Sequence, residues 1–468
     1  MRLHELEKLK NEVFDRQHVL KRIYLLSGGR SLYDYANSWQ AAPSAAGPEF
    51  FSVMEKSFGR LYGKAVAQAA ARQIRDTGLV STIDHHGIFG HPFFLNSNLV
   101  FALKSGLEFL PVFSTSGVSL NNSSWPGSLL LTDNKRGVSV RHSFFKDSLK
   151  TRTVFGTGPI KESGIDGVLR QLQHEDFLTK EQKQELAALI VEMFADGRVK
   201  GRTNFSDQAA IVSWMLWQRL FPQAPQLLYL PLEELAGDVI VRLILPDPRH
   251  ILSRLMFTKE GLDMLERRFT GVRGAFGPGR GSFLFWKVDE SGRRFAVTRQ
   301  ELEARFRLDP EAVASAIEAR KIYPTSLLCF LTLLYYQVVC LGGFNQTGWL
   351  TEIKSRFFLL LEELGEKEQG RAVGAIPTDN FAETTLAFSY RHGKLSKPSA
   401  LDLYINKADF NEFRHLARNI TLAQSLESEL PEIYKIVVPA GERKGGLSRI
   451  TAVQIAEANG LTRMLELL

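Results

Sequence analysis

The chain has 468 residues, of which 44% are hydrophobic and 23% are charged, and this composition excludes a disordered chain and indicates a folded globular protein. Such a length accommodates one large core with appendages or two to three domains. The formal charge of +7 is compatible with nucleic acid. The basic residues are dispersed, however, and form no recognised binding module, so a local pocket for a small anion explains the charge equally well.

Cysteine content and apolar runs bear on the compartment. The two cysteines, Cys329 and Cys340, lie in an apolar run, so the sequence supports neither a disulfide framework nor a cysteine zinc site, and we expect a cytoplasmic protein. That run, residues 327–341, is shorter than the roughly 20 residues that a membrane-spanning helix needs, and it predicts a buried helix. Residues 1–22 lack the cleavage pattern of a secretory signal and predict a surface or docking helix.

The predicted elements alternate between helix and strand from residue 60 onward, which is typical of an α/β domain. A helix at 63–76 leads into a buried strand at 79–83, and an apolar helix at 93–104 leads into a strand at 108–113. This strand-helix-strand unit predicts parallel strands whose ligands bind beyond the carboxyl ends of the strands. Further helices are predicted at 181–195, 207–220, 298–319 and 324–341, and further strands at 226–230 and 283–288.

Three segments follow from this order. We expect an N-terminal helical segment at 1–59, an α/β core with inserted helices and loops at 60–364, and a smaller C-terminal region at 365–468. The boundary is placed near 365–374, where the chain becomes more charged.

Segment 82–92 holds three of the ten histidines and an acid in one glycine-bearing turn. It follows a predicted strand and precedes a predicted helix, so its amides and imidazoles would meet at a helix N-terminus, where a phosphate or carboxylate is favoured. The predicted catalytic residues are Asp84, His85, His86 and His91.

Each of these side chains has an expected role. Asp84 or His85 would orient the substrate or act as base, while His86 and His91 would contact phosphate. Glycines in the turn would let the backbone approach that phosphate, and the predicted phosphate-binding glycines are Gly87 and Gly90. The alternative is that the histidines are structural hydrogen-bonding residues of the turn.

A metal site is a second alternative for the same turn, since zinc and iron bind imidazole and carboxylate. Adjacent His85 and His86 would point to opposite faces if the strand continued, so at most one of them joins Asp84 or His91. No distant histidine or glutamate motif completes the set, and no metal cofactor is predicted.

Two loops supply further candidates. Asn121 and Asn122 beside Trp125 would bind a polar substrate through amide hydrogen bonds, with a capped surface loop as the alternative. The glycine-rich run 271–282 predicts a mobile loop that closes over phosphate through Arg273 and Arg280. It lacks the Lys-Ser or Lys-Thr ending of a P-loop, and an ordinary connector is the alternative.

Two distant segments carry a family resemblance. Residues 82–92 can be laid without a gap on the motif Thr-Gly-Gln-Gln-x-Gly-Leu-Phe-x-Gly-Pro, and residues 110–113 are similar to a Val-Pro-Val-Phe strand. Residues 341–349 resemble a Gly-Gly-Pro-Gly-Glu-x-x-Tyr segment. These motifs are those of the cysteine-adding enzymes of bacillithiol biosynthesis, which join cysteine to a glucosaminyl malate. The resemblance spans residues 60–360.

The resemblance implies a Rossmann-like core related to nucleotidyltransferases and class I synthetases, and it places Gly343 and Gln346 at the substrate site. The chain departs from the family pattern, because Asp84 and His85 replace paired glutamines and Gln346 replaces the late glutamate. The expected carry-over is therefore the fold rather than cysteine addition to that substrate.

Together these features predict a biosynthetic ligase or transferase, amide-forming or nucleotidyl-transferring, that joins or activates a small, polar and anionic substrate. An amino acid is a candidate substrate, and ATP or another nucleotide is the candidate cofactor. Neither a specific nucleic acid nor a membrane is an expected partner, and a homodimer is the candidate assembly. Two alternatives stay open: a non-catalytic small-molecule-binding protein on a degenerate enzyme core, and a metal-dependent hydrolase that uses residues 84–91.

Overall fold

A parallel sheet of four strands lies at the centre of the fold, in a computed structural model that describes residues 3–40, 43–133, 136, 138–272, 284–391 and 394–461. The strands are β1 (Leu79–Ser81), β2 (Phe109–Ser114), β3 (Ser128–Asp133), β4 (Val138–Ser143), β5 (Gln226–Pro231), β6 (Phe285–Val288), β7 (Arg294–Ala296), β8 (Ile322–Pro324), β9 (Val339–Leu341), β10 (Ser389–Arg391) and β11 (Lys394–Ser396).

Helices surround the sheet. They are α1 (Leu3–Phe14), α2 (His18–Ser27), α3 (Leu32–Asn37), α4 (Pro48–Tyr62), α5 (Lys64–Thr77), α6 (Pro92–Ala102), α7 (Glu162–His174), α8 (Lys180–Ala195), α9 (Gly197–Lys200), α10 (Phe205–Leu220), α11 (Leu232–Val239), α12 (Ile251–Phe257), α13 (Lys259–Phe269), α14 (Arg299–Ala304), α15 (Pro310–Glu318), α16 (Ser326–Tyr335), α17 (Phe344–Glu363), α18 (Lys367–Ala375), α19 (Ala400–Ile405), α20 (Phe410–Asn419), α21 (Leu422–Glu427), α22 (Leu430–Val437), α23 (Gly445–Ser448) and α24 (Ala452–Ala458).

The strand order of the parallel sheet is β5-β2-β1-β9. If the four strands are numbered 1 to 4 in chain order, as β1, β2, β5 and β9, their spatial order is 3-2-1-4. This order is compatible with a Rossmann-like core. The chain moves outward in one direction from β1 through β2 to β5, and β9 then pairs with β1 on the opposite side. The strand order therefore reverses between β1 and β9, and this junction is the topological switch point of the sheet. The α/β prediction is confirmed.

Local signals in the sequence explain the elements next to the switch point. Gly78, with φ 65°, ends α5 in the left-handed conformation that glycine adopts readily, and β1 begins at the next residue. Pro92 opens α6, where its missing N–H costs nothing. Helix α6 is buried from Phe94 to Ala102 and packs against β2 and α3, and its polar residues Asn96, Ser97 and Asn98 are hydrogen-bonded.

The predicted elements of the strand-helix-strand unit are confirmed to within two residues at each end, as are those at 181–195, 207–220, 226–230 and 283–288 where the structure describes them. The single helix predicted at 298–319 is wrong. Arg307 and Leu308 have φ near 53° and 52°, and Pro310 starts a new helix, so the segment forms α14 and α15.

The helix predicted at 324–341 is also wrong, and the error matters most for the site. Helix α16 ends at Tyr335, Gln337 turns the chain with φ 55°, and the apolar residues that follow form β9. Gly342 and Gly343 are consequently the turn between a parallel strand and α17, rather than the end of a helix.

The N-terminal helices pack on later helices, so of the two alternatives predicted for 1–22, a surface or a docking helix, the packing fits the docking helix. Leu6, Leu9 and Val13 of α1 are buried, and α1 contacts α22 while α2 contacts α17 and α21. The Tyr24 hydroxyl donates to Glu427 at 2.5 Å, which adds a polar contact between the two ends of the chain. The boundary predicted near 365–374 falls on α18. Among the described helices, none combines the length and apolar character needed to cross a bilayer.

Candidate functional site

A cavity of about 990 Å³ opens at the switch point, beyond the carboxyl ends of β1 and β9. The connections that leave these two strands run in opposite directions, so a crevice between them stays uncovered. Residues that follow both strands line it, including Thr82 and Ile83 after β1 and Gly343, Asn345 and Gln346 after β9. The predicted substrate residues Gly343 and Gln346 therefore lie in the cavity wall.

Thr82 and Gln346 join the two strand ends. The Thr82 amide donates to the Leu341 carbonyl at 3.1 Å, and the Gln346 side-chain amide donates to the Thr82 hydroxyl. Both side chains are buried at this contact, which fixes the floor of the cavity.

The segment after α18 supplies an acid to the cavity. Gly342 and Phe381 form a parallel β-bridge, in which the Gly342 amide donates to the Asn380 carbonyl at 2.8 Å. This pairing carries Glu383 to the N-terminus of α17, where its Oε2 accepts from the Phe344 amide at 2.7 Å. A Cβ at Gly343 would overlap that oxygen, so this position requires glycine.

Glu383, which lines the cavity, has a carboxyl oxygen that lacks a hydrogen-bond partner among the described residues. Its Oε1 is buried and has no hydrogen-bond partner in the part of the chain that the structure describes. Burial raises the pKa of this carboxyl well above its usual value, and the nearby carboxylate of Glu429 adds to the effect. This shift favours the protonated form of the Glu383 carboxyl.

His85 faces the cavity from the β1 side. Its Nδ1 lies 3.0 Å from the Ser124 hydroxyl, and its ring packs edge-on against Phe94 with centroids 5.4 Å apart. Burial lowers the pKa of His85 to about 4, so the imidazole is neutral at physiological pH and can accept a proton.

His91 also lines the cavity, but its Nδ1 is occupied. It accepts from the Phe93 amide at 3.3 Å and thereby caps α6. Burial lowers the pKa of His91 to about 4, so it carries no positive charge with which to attract a phosphate at neutral pH. The predicted phosphate contact is thus limited to a neutral N–H donor.

Aromatic side chains form another part of the cavity lining, which we call the aromatic wall: Phe94, Phe330, Phe344 and Trp349. Phe330 and Trp349 pack edge to face with centroids 4.8 Å apart. The C-terminal region covers the cavity with Lys397, Thr451 and Val453. The Lys397 ammonium pairs with Glu429 at 2.7 Å, so its charge is already compensated.

The structure places His86 on the other side of the chain, away from this cavity. It is fully buried, its Nδ1 is 2.6 Å from the Ser114 hydroxyl, and its Nε2 is 2.8 Å from the Ser206 carbonyl. Both ring nitrogens are therefore engaged, and the predicted phosphate contact of His86 does not fit its position. This histidine holds β2 and α10 together.

Asp84 is likewise buried behind the wall. Its Oδ2 accepts from the Asn98 amide at 2.8 Å and from the Tyr229 hydroxyl. Burial raises the pKa of Asp84 to about 7. It does not line the cavity, so the predicted direct contact with substrate does not fit, and of the two candidate bases only His85 is in place.

The glycine turn does not form a phosphate cradle among the described residues. The amides of Ile88 and Phe89 donate to Pro126 and Ser213, respectively. A Cβ at Gly87 would lie 2.5 Å from the Pro126 Cα, so close packing explains this glycine. Gly90 has open space at the same position, and its carbonyl accepts from Ala400.

The residues predicted in the two loops have different positions relative to the cavity. Asn121 and Trp125 lie outside the cavity wall, and Arg141 stacks on the Trp125 ring at 4.2 Å. Asn122 binds Ser124: the Ser124 hydroxyl donates a hydrogen bond to Oδ1 of Asn122 at 3.0 Å. Arg273 and Arg280 lie outside the described residues. Within the described ranges, no group of three or more histidine, cysteine or acidic side chains is close enough to hold a metal ion.

Sequence reasoning missed Glu383, Ser124 and Lys397. Glu383 had a signal, because it is the one charged residue between Asp379 and Arg391, in a run of otherwise uncharged residues. Its distance along the chain from segment 82–92 gave no reason to connect the two.

Comparison with known proteins yields no relative. The chain matches no protein-family model, no curated protein and no solved structure.

Proposed function

We propose that this protein is an α/β enzyme of ligase or transferase type that transfers a group to or from a small polar molecule held in the switch-point cavity. One observation carries the proposal: a neutral base, His85, and a buried carboxyl with an unpaired oxygen, Glu383, line the same cavity. The position agrees with the rule that open α/β sheets bind ligands where their strand order reverses. It also agrees with the Rossmann-like, synthetase-related core that the sequence resemblance implies.

The two side chains suit group transfer because their protonation states are complementary. A neutral imidazole can take the proton of an attacking hydroxyl or amine, and a protonated carboxyl can give one to a leaving group. Burial lowers the pKa of His85 to about 4, which keeps the imidazole neutral, and it raises the pKa of Glu383, which favours the protonated carboxyl.

The side chains that line the cavity limit the range of candidate substrates. His85 and His91 are neutral, and Lys397 is paired, so the described wall offers little net positive charge to an anion. The aromatic wall favours a flat or apolar group, and Asn345, Gln346 and Glu383 favour polar ones. We therefore narrow the expected anionic substrate to a polar molecule with an aromatic or apolar part, such as an amino acid or a nucleotide.

A non-catalytic binding protein is the second candidate, and a specific observation favours it. Two of the helix N-termini at the cavity are capped by protein side chains, α6 by His91 and α17 by Glu383. The Phe93 and Phe344 amides are therefore not available to the charge that develops on a phosphoryl leaving group. ATP remains the candidate cofactor on one condition: its adenine ring would bind at the aromatic wall, and its phosphates would lie away from the glycine turn of segment 82–92.

Thermal unfolding in the presence of ATP, AMP and each common amino acid tests the proposal. A ligand at one hundred times its Kd should stabilise the wild type by about 2.7 kcal/mol. Ile83→Trp, which places an indole in the cavity, should remove the shift, whereas the exposed Leu26→Trp should keep it. No shift with any compound, or an equal shift in Ile83→Trp, would overturn the assignment. Turnover of a stabilising compound by the wild type separates the enzyme from the binding protein.

A further inference from the structure

A serine hydroxyl shares the cavity with His85. Ser124 lies in the connection between β2 and β3, is 8% exposed, and lines the cavity. Its Oγ is 3.0 Å from Nδ1 of His85 and 3.0 Å from Oδ1 of Asn122. A hydroxyl within hydrogen-bond reach of a neutral imidazole at a substrate-sized cavity has the arrangement of an activated nucleophile.

The loop holds Ser124 in a defined position. The Ser124 amide donates to Oδ1 of Asn122 at 3.1 Å, which turns the oxygen of that side chain toward the serine. The hydroxyl proton therefore has two acceptors, Asn122 and His85. The next residue, Trp125, has φ 51°, a conformation that is rare for a bulky side chain. The Trp125 amide donates to the Asn122 carbonyl at 2.9 Å, which helps to hold this turn.

We propose that Ser124 is a catalytic nucleophile that carries an acyl group between two substrates, with His85 as its base and Asn122 as a positioning residue. The proposal rests on the function proposed above, because it uses the same cavity for the acyl donor. That donor is an activated carboxylic acid, such as an ester, a thioester or an acyl phosphate.

The step is balanced within the site. Oγ of Ser124 forms a bond to the acyl carbon while the bond from that carbon to the leaving heteroatom breaks. The hydroxyl proton passes to Nδ1 of His85 and from there to the leaving group. An acceptor amine or hydroxyl then attacks the serine ester and transfers its proton by the same route, which regenerates Ser124. No oxidant or reductant takes part.

The neighbouring serine provides a matched control. Ser123 is exposed, and its hydroxyl bonds only to Asn122, at 3.4 Å, among the contacts in the described chain. It lines the same cavity but makes no hydrogen bond to His85 in the described chain, so a reaction specific for Ser124 would depend on the pairing with His85.

Labelling with a short-chain alkyl fluorophosphonate, followed by intact mass and peptide mapping, tests the proposal. We expect one adduct on Ser124 in the wild type and in Ser123→Ala, no adduct in Ser124→Ala, and labelling at least tenfold slower in His85→Gln. A wild type that stays unlabelled, or an equal adduct in Ser124→Ala, would overturn the nucleophile.

Two further measurements keep the result interpretable. If Ser124→Ala does not fold, Ser124→Cys should react with iodoacetamide at this position, and its failure to do so would contradict the proposal. If compounds from the thermal panel stabilise an unlabelled wild type, the nucleophile fails while the cavity assignment stands. If no compound stabilises the wild type, the thermal panel itself overturns the cavity assignment, independently of the labelling result.

Discussion

The carboxyl edge of the central sheet has two halves with opposite character. On the β2 and β5 side, Asp84 and His86 are buried and bonded to Tyr229 and Ser114, respectively, although Oδ1 of Asp84 has no partner among the described residues. Beyond β1 and β9, the same edge opens into a cavity with an unpaired carboxyl. His85 and His86 are adjacent in sequence, yet they serve different halves. Reactive residue types at a strand end become candidates for function only where the topology leaves them uncovered.

The largest expected effect concerns the closed half. The pKa of Asp84 is about 7 in the folded protein, against an ordinary value of 3.8, so the folded state binds the proton more tightly between these values. This contribution to stability is fully present below pH 3.8 and is lost as the pH rises to 7. Relative to Asp84→Asn, the wild type should lose up to about 4 kcal/mol of unfolding free energy across this window. Urea unfolding measured between pH 4 and 8 checks this, and parallel curves would contradict it.

The two adjacent histidines sharpen the comparison. His86→Ala removes two buried hydrogen bonds and leaves a void, so it should cost about 3 kcal/mol of unfolding free energy. His85→Ala should cost about 1 kcal/mol, because its ring is partly exposed at the cavity. Urea unfolding of both variants gives the two values. An equal or reversed order would show that the halves of the edge do not differ as described.

The glycines give the smallest effect. Gly343→Ala would force Glu383 from the α17 N-terminus, at a cost of about 2 kcal/mol. Gly90→Ala has open space and should change the unfolding free energy by less than about 0.5 kcal/mol. The two melting curves measured side by side test this. A destabilised Gly90→Ala beside an unaffected Gly343→Ala would remove the packing argument for Glu383.

The sequence was sufficient for the α/β class and for β1, α6 and β2, because their periodicity and turn residues agree. It failed at β9, because three buried residues that follow an apolar helix have the same pattern as more helix. Opposite directions for His85 and His86 were expected if the strand continued, and although β1 ends at Ser81, an isolated bridge pairs His85 with Thr115 and the two rings point to different surroundings. Which of the two histidines lines the cavity could not be predicted, because the answer depends on the position of β9. Glu383 reaches the site through a single β-bridge, and no local pattern encodes that pairing.

The central claim is that His85 and His91 face an open cavity while His86 is enclosed. Modification by diethyl pyrocarbonate at pH 6.5, resolved by tandem mass spectrometry, tests it directly, because the reagent attacks accessible neutral imidazoles. His85 and His91 should react, the exposed His415 should react as a reference, and His86 should stay unmodified in the folded protein. Modification of His86 as fast as His85, or protection of His85 and His91 while His415 reacts, would contradict the account.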